Sequence, residues 1–117
     1  MSSPSQPKQI LIYADAAGQE PFSQWLESLR DVVGRKRILS RLRRIEQGND
    51  GDCKAFGSGV YELRLFFGPG YRVYFGKNGP TLVILLCGGD KSTQDRDIAT
   101  AQSYWKEYLT SASTENP

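Results

Sequence analysis

The stretch from Val60 to Gln94, VYELRLFFGPGYRVYFGKNGPTLVILLCGGDKSTQ, constrains the fold more than any other part of the chain. Residues 60–67 and 71–75 alternate, and residues 81–87 form a nearly continuous apolar run, with Gly68-Pro69-Gly70 and Asn78-Gly79 as the breaks between them. That pattern predicts three consecutive antiparallel strands. Asn-Gly supplies the positive φ angles of a tight hairpin, so the second break predicts a sharp turn.

A three-residue loop at Gly68-Pro69-Gly70 would set Phe67 opposite Tyr71, Phe66 opposite Arg72, Leu65 opposite Val73 and Arg64 opposite Tyr74. Side chains alternate along a strand, and cross-strand partners share a face. One face then carries Tyr61, Leu63, Leu65, Phe67, Tyr71, Val73 and Phe75 and reads as core. The other carries Glu62, Arg64, Phe66, Arg72 and Tyr74, two guanidiniums among aromatic rings. Across the Asn78-Gly79 turn, Phe75 would face Leu82 and Arg72 would face Leu85, so the third strand is apolar on both faces, as a covered strand must be. Its end, Gly88-Gly89-Asp90-Lys91, would emerge beside the start of the second strand and bring Lys91 toward Arg72.

The rest of the chain reads as support for this sheet. A length of 117 residues suits one domain with its own core. The expected bounds are a disordered N-terminus over 1–7, a single domain over 8–109 and a polar tail over 110–117. Lys8 to Ala14 reads as a first strand. Pro21 opens a helix in which Phe22, Trp25, Leu26 and Leu29 recur at i, i+3, i+4 and i+7, so Trp25 is read as core. Asp31 to Gln47 predicts a second helix with Ile38, Leu42 and Ile45 as its buried stripe. Gln47 to Gly59 reads as a glycine-rich loop holding Cys53, Lys54 and Phe56. After the three strands, Ser92 with Asp95 suggests a capped helix whose face Ile98, Ala101, Trp105 and Tyr108 packs across the sheet or onto a partner. The order β-α-α-β-β-β-α implies an α+β fold, an antiparallel-dominated sheet with a helical hairpin on its apolar face.

Charge and residue usage narrow the chemistry. The net charge is only +2, yet between Asp31 and Glu46 there is no acidic residue, while Arg35, Lys36, Arg37, Arg41, Arg43 and Arg44 all fall there. Such a helix suits a polyanion, although a solvated helix face is the plain alternative. Histidine is absent, which excludes histidine acid/base chemistry, Ser-His-Asp and Cys-His triads, and His-ligated zinc. Cys53 and Cys87 have no metal-ligand spacing, so the expectation is a reduced cytoplasmic protein without metal or cofactor. No apolar run is long enough for a membrane span, and MSSPSQPK lacks the apolar segment of a secretory signal.

The run ELRLFFGPGYRVYF followed by LLCGGDKSTQDRDIATAQSYW resembles the HigB-like killer-protein branch of the RelE/ParE toxin superfamily, over about residues 10–109. The resemblance implies a RelE-like fold and a toxin of a type II toxin-antitoxin module. It further implies a ribosome-dependent endoribonuclease that cuts messenger RNA and inhibits translation, with the ribosome, messenger RNA and a cognate antitoxin as partners. ParE-type members, which poison DNA gyrase by binding it, mark the alternative. Arg64 lies in the "ELR" segment, Arg72 and Tyr74 in "YRVYF" and Lys91 in "GGDKS"; Lys54 stands where such toxins often carry a basic side chain. The absence of histidine departs from relatives that use it.

Metal-free RNA cleavage proceeds by attack of a 2′-OH on the adjacent phosphorus. Arginine suits neutralisation of the phosphorane because its planar fork meets two oxygens at once, which selects Arg64 and Arg72. Lysine serves as acid or base where neighbouring cations favour its neutral form, and Lys91 beside Arg72 is the candidate. Tyr74, or Tyr71 after a register slip, could donate a proton or stack on a splayed base. Lys54 and the basic residues of the second helix would contact RNA or ribosomal phosphates.

Overall fold

The computed structural model describes residues 7–115. The elements are β1 (Gln9–Ile12), α1 (Pro21–Ser28), α2 (Val32–Glu46), β2 (Cys53–Ala55), β3 (Val60–Arg64), β4 (Tyr71–Asn78), β5 (Leu82–Asp90), a 3-10 turn (Lys91–Thr93) and α3 (Gln94–Glu115). They form an α+β fold with one five-stranded mixed sheet in the order β1-β5-β4-β3-β2. β1 runs parallel to β5 and the other three pairings are antiparallel.

Two apolar cores lie on opposite faces of the sheet. On one, Phe22 of α1 and Ile38, Leu42 and Ile45 of α2 pack on Leu63, Leu65, Tyr71, Val73, Phe75, Val83 and Leu85. This is the face and helical stripe that the alternation predicts. The only side-chain cap of α2 is Asp31, which accepts from the Gly34 N–H at 2.8 Å and from the Tyr71 hydroxyl at 3.0 Å, tying the helix start to β4. On the other face, Ala101 and Trp105 of α3 cover Val60, Tyr74, Ile84, Leu86 and Cys87, with Ile98 and Tyr108 beside them. α3 therefore packs across the sheet.

Several expectations are corrected. β3 pairs with β4 two residues out of the predicted register: Arg64 faces Arg72, Glu62 faces Tyr74 and Leu63 faces Val73. The connection is longer than three residues because a turn closes within it, Gly70 N–H donating to Phe67 O at 3.0 Å, with Gly68 and Gly70 both at positive φ. A slip of two preserves the period-2 alternation, so every side chain keeps its predicted face. β4 meets β5 with Phe75 opposite Leu85 rather than Leu82 and Arg72 opposite Gly89 rather than Leu85, and the ladder closes with Asn78 against Leu82. Pro80 is the reason: a two-residue Asn-Gly turn would require a ladder N–H from the next residue, and proline has none. A bulge at Tyr74/Phe75 then shifts the register by one.

The stretch read as a loop over 47–59 contains β2, so Lys54 is a strand residue, paired with Glu62. Asp90, not Ser92, caps the turn before α3: its side chain accepts from Ser92 N–H, with Thr93 answering in a capping box. α3 also runs through the expected tail to Glu115, since no Gly or Pro interrupts the chain from Gln94 to Glu115. The disorder expected of 1–7 lies almost wholly outside the described residues. Among the described residues no helix is long and apolar enough to cross a membrane.

Candidate active site

The face under α3 changes character along its strands. At one end Trp105 lies on the backbone of Gly76, where an added Cβ would sit 2.3 Å from the ring, and its indole N–H donates to Ser58 O at 2.7 Å. At the other end, beyond the start of α3, are Glu62, Arg64 and Arg72.

Arg64 and Arg72 are direct cross-strand partners, which places both guanidiniums on one patch. Their settings differ. Arg72 is 6% exposed; its Nε lies 3.9 Å from Glu62 Oε1, and its Nη1 donates to Tyr71 O at 3.4 Å. Arg64 is half-buried, and its Nη2 donates to Asp52 Oδ1 at 2.9 Å. That hydrogen bond, and then the Asp52 charge, lifts the Arg64 pKa further above its ordinary value. The Nε of each arginine is buried with no hydrogen-bond partner in the protein.

Glu62 is the hub. It is fully buried, and Oε2 accepts from the Tyr74 hydroxyl and from Gln94 Nε2, both at 2.9 Å. Oε1 has no hydrogen bond, so its contact with Arg72 at 3.9 Å is a Coulombic pairing. A buried carboxylate is tolerated when other donors and a counter-charge hold it, and here β4 supplies Tyr74 and Arg72 and α3 supplies Gln94.

Tyr74 is also fully buried, under α3. Burial, then the hydrogen bond to Glu62, pushes its phenol far above the ordinary range. This places Tyr74 inside the support of Arg72, away from any ligand; neither proton donation nor base stacking is open to it. Tyr71 lies in the opposite core and donates to Asp31.

Lys91 opens the 3-10 turn and is exposed. A side chain placed on Gly70 would meet Lys91 Cβ at 3.3 Å and Arg72 Nη1 at 3.8 Å, so the glycine, at φ 78°, lets these two residues approach over the hairpin backbone. Lys54, exposed on β2, holds its ammonium 5.2 Å from the Phe56 ring centroid on the edge of the same face.

The basic residues of α2 are not gathered here, because α2 packs on the opposite face. Arg41 Nη1 reaches Arg64 O at 3.5 Å and Arg37 caps the Phe67 ring at 4.7 Å, both supporting the hairpin from behind. Arg35 and Lys36 border an apolar depression with Leu26, Val32 and Leu39, while Arg43 borders a neighbouring groove with Ile10 and Ile12. Arg44 is exposed.

Sequence reasoning missed the hub role of Glu62 and the whole of Gln94 and Asp52. The E-x-R spacing of Glu62 and Arg64 was visible, but the contact with Gln94 depends on how α3 crosses the sheet. The two thiols are unsuited to attack: burial raises Cys53 to about 11 and Cys87 to about 12. Among the described residues no group of three or more His, Cys, Asp or Glu could hold a metal ion.

An uncharacterized protein of Haemophilus influenzae is 48% identical over 81 residues, 69% of this chain and 82% of that protein. The chain belongs to that protein's family. No family model matches it. The kinship carries no activity across, so the chemistry rests on the residues themselves.

Proposed function

We propose that the protein is the toxin of a type II toxin-antitoxin module, a HigB-like member of the RelE/ParE superfamily with a RelE-like fold, acting in the cytoplasm as a ribosome-dependent messenger RNA endoribonuclease. The observation that carries the reading is the cross-strand pair Arg64 and Arg72 at the margin of the face under α3, Arg64 half-exposed and Arg72 nearly buried beside it, with Lys91 next to Arg72. Arg64 keeps part of its guanidinium in solvent while Asp52 holds it in place, and a phosphate oxygen is the acceptor its remaining N–H groups suit.

In this scheme the 2′-oxygen attacks the adjacent phosphorus and the 5′-oxygen leaves, giving a 2′,3′-cyclic phosphate and a 5′-hydroxyl. Arg64, held by Asp52, takes a non-bridging oxygen as negative charge builds, and Arg72, held by Glu62 beside it, adds its positive charge from the margin of the core. Lys91, exposed beside Arg72, gives a proton to the leaving 5′-oxygen, and solvent takes the proton of the 2′-hydroxyl. Lys54 holds messenger phosphates beside the site, and the α2 cations, on the other side of the sheet, hold ribosomal phosphates. A cognate antitoxin, bound as a hetero-oligomer, would mask this end of the sheet; a complex leaving Arg64, Arg72 and Lys91 open to solvent argues against that.

The test is a defined translation reaction with messenger RNA ends mapped by primer extension and ribosome-free RNA as control. Cuts within codons only in the presence of ribosomes are expected, and intact RNA overturns the reading. One observation favours a second reading, the protein-binding poison of DNA gyrase: Leu11, Ile12, Val32 and Leu39 are large apolar side chains exposed along the β1 and α2 edge. Inhibited supercoiling with messenger RNA left whole would select it.

A further inference from the structure

Phe66 is 74% exposed, the most exposed of the large apolar side chains among the described residues. Its neighbours account for its direction. Leu65 is buried in the α1/α2 core, and Phe67 packs against that core with Tyr71 at its edge and the Arg37 guanidinium over its ring. Phe66, between them, is turned to the other side of the hairpin, and no side chain of α3 covers it. On that side the Arg64 guanidinium lies 5.7 Å from the Phe66 ring centroid, within cation-π range. Arg64 is itself fixed by Asp52, so ring and cation form one prepared unit. A second unit of the same kind, Lys54 with Phe56, lies along the β2 edge.

A single exposed aromatic is ordinary on a protein surface, but one set beside a fixed guanidinium offers a flat face and a charge together, and the surrounding charge indicates for what. The cations on this face, Arg64, Arg72, Lys91 and Lys54, call for an anionic partner, and a polyanion carrying flat rings is single-stranded nucleic acid. With Arg64 5.7 Å from the Phe66 ring, a phosphate on the one and a base on the other would hold the backbone and a ring of the same strand together.

We infer that Phe66 is a substrate-binding residue, the platform on which a base next to the scissile phosphate stacks, with Arg64 as the phosphate half of the same subsite. The inference rests on the nuclease reading and takes over the stacking role that buried Tyr74 cannot fill. Because the ring is exposed, its replacement leaves the fold intact, which a thermal melt checks.

The experiment measures kcat and KM for messenger RNA cleavage in the defined translation reaction with wild type, Phe66→Ala, Phe66→Leu and Phe66→Trp. Stacking predicts that Phe66→Ala and Phe66→Leu lose roughly 5- to 150-fold in kcat/KM while Phe66→Trp keeps it, base-aromatic stacking being sequence-tolerant. It predicts further that an abasic nucleotide beside the mapped cut lowers wild type to the level of Phe66→Ala and lowers Phe66→Ala no further. Cleavage by Phe66→Ala at the wild-type rate overturns the subsite and leaves the nuclease reading standing. Full activity of Phe66→Leu also overturns it, in favour of an apolar contact with a protein. Absence of cleavage by wild type overturns the subsite and the nuclease reading together.

Discussion

The two faces of the sheet are sealed in the same way and then diverge. On the α1/α2 face Trp25 lies on Gly88, and on the α3 face Trp105 lies on Gly76; in both cases a Cβ would collide with the indole at 2.2 or 2.3 Å. Around Trp25 the strands offer Leu63, Leu65, Val73, Phe75 and Leu85, apolar from end to end. Around Trp105 the same strands offer Val60 and Tyr74, then Glu62, Arg72 and Arg64. The difference teaches where a small domain can keep charge. α3 starts at Gln94, so its cover ends within reach of Glu62, and the charges sit at the margin of a core where donors from both sheet and helix meet them.

The largest effects should separate apolar from ionic burial. Phe75→Ala empties a fully buried site in the apolar face and should cost about 3–5 kcal/mol in denaturant unfolding. Glu62→Ala should cost a similar amount, about 3–5 kcal/mol, for another reason: it strands Arg72 as a buried cation. A second change distinguishes them. Adding Arg72→Met should recover part of the Glu62→Ala loss and none of the Phe75→Ala loss; equal recovery in both, or in neither, would erase the contrast between the faces.

Arg64→Ala should move stability little, because the side chain is half-exposed, yet lower messenger RNA cleavage by about 100- to 1,000-fold, the usual loss when one preorganised donor to a developing oxyanion is removed. A melt that falls with the activity would make Arg64 a structural residue like Phe75.

The smallest effect concerns the polar tie on the otherwise apolar face. The Gly34 N–H, then the Tyr71 hydroxyl, hold the Asp31 carboxyl below its ordinary 3.8. A depressed folded-state pKa contributes stability that is complete above the unfolded value and lost as pH falls through the folded one. Asp31→Asn should therefore lower the melting temperature near neutral pH by more than it does in acid, with the two curves converging below about pH 3.8. Parallel curves would mean that the charge on Asp31 does nothing for the α2 start.

What the sequence by itself determined is the set of faces. Period-2 alternation in β3 and β4 assigned Leu63, Leu65, Val73 and Phe75 to one side and Glu62, Arg64 and Arg72 to the other, and the helical stripes Phe22, Trp25 and Ile38, Leu42, Ile45 identified what covers the first side. These are local properties of backbone geometry and survived a register error of two residues. The register was set by local features that the alternation does not carry, the turn within 67–70 and the missing N–H of Pro80, and only the crossing of α3 decided what became of the second face. That helix buried Tyr74, made Glu62 a hub through Gln94 and left Arg64 and Phe66 outside. The α2 cations show the same limit: a stripe of charge is legible in a chain, but which side of a sheet it will face depends on contacts between residues far apart in sequence, and those carry no periodicity to read.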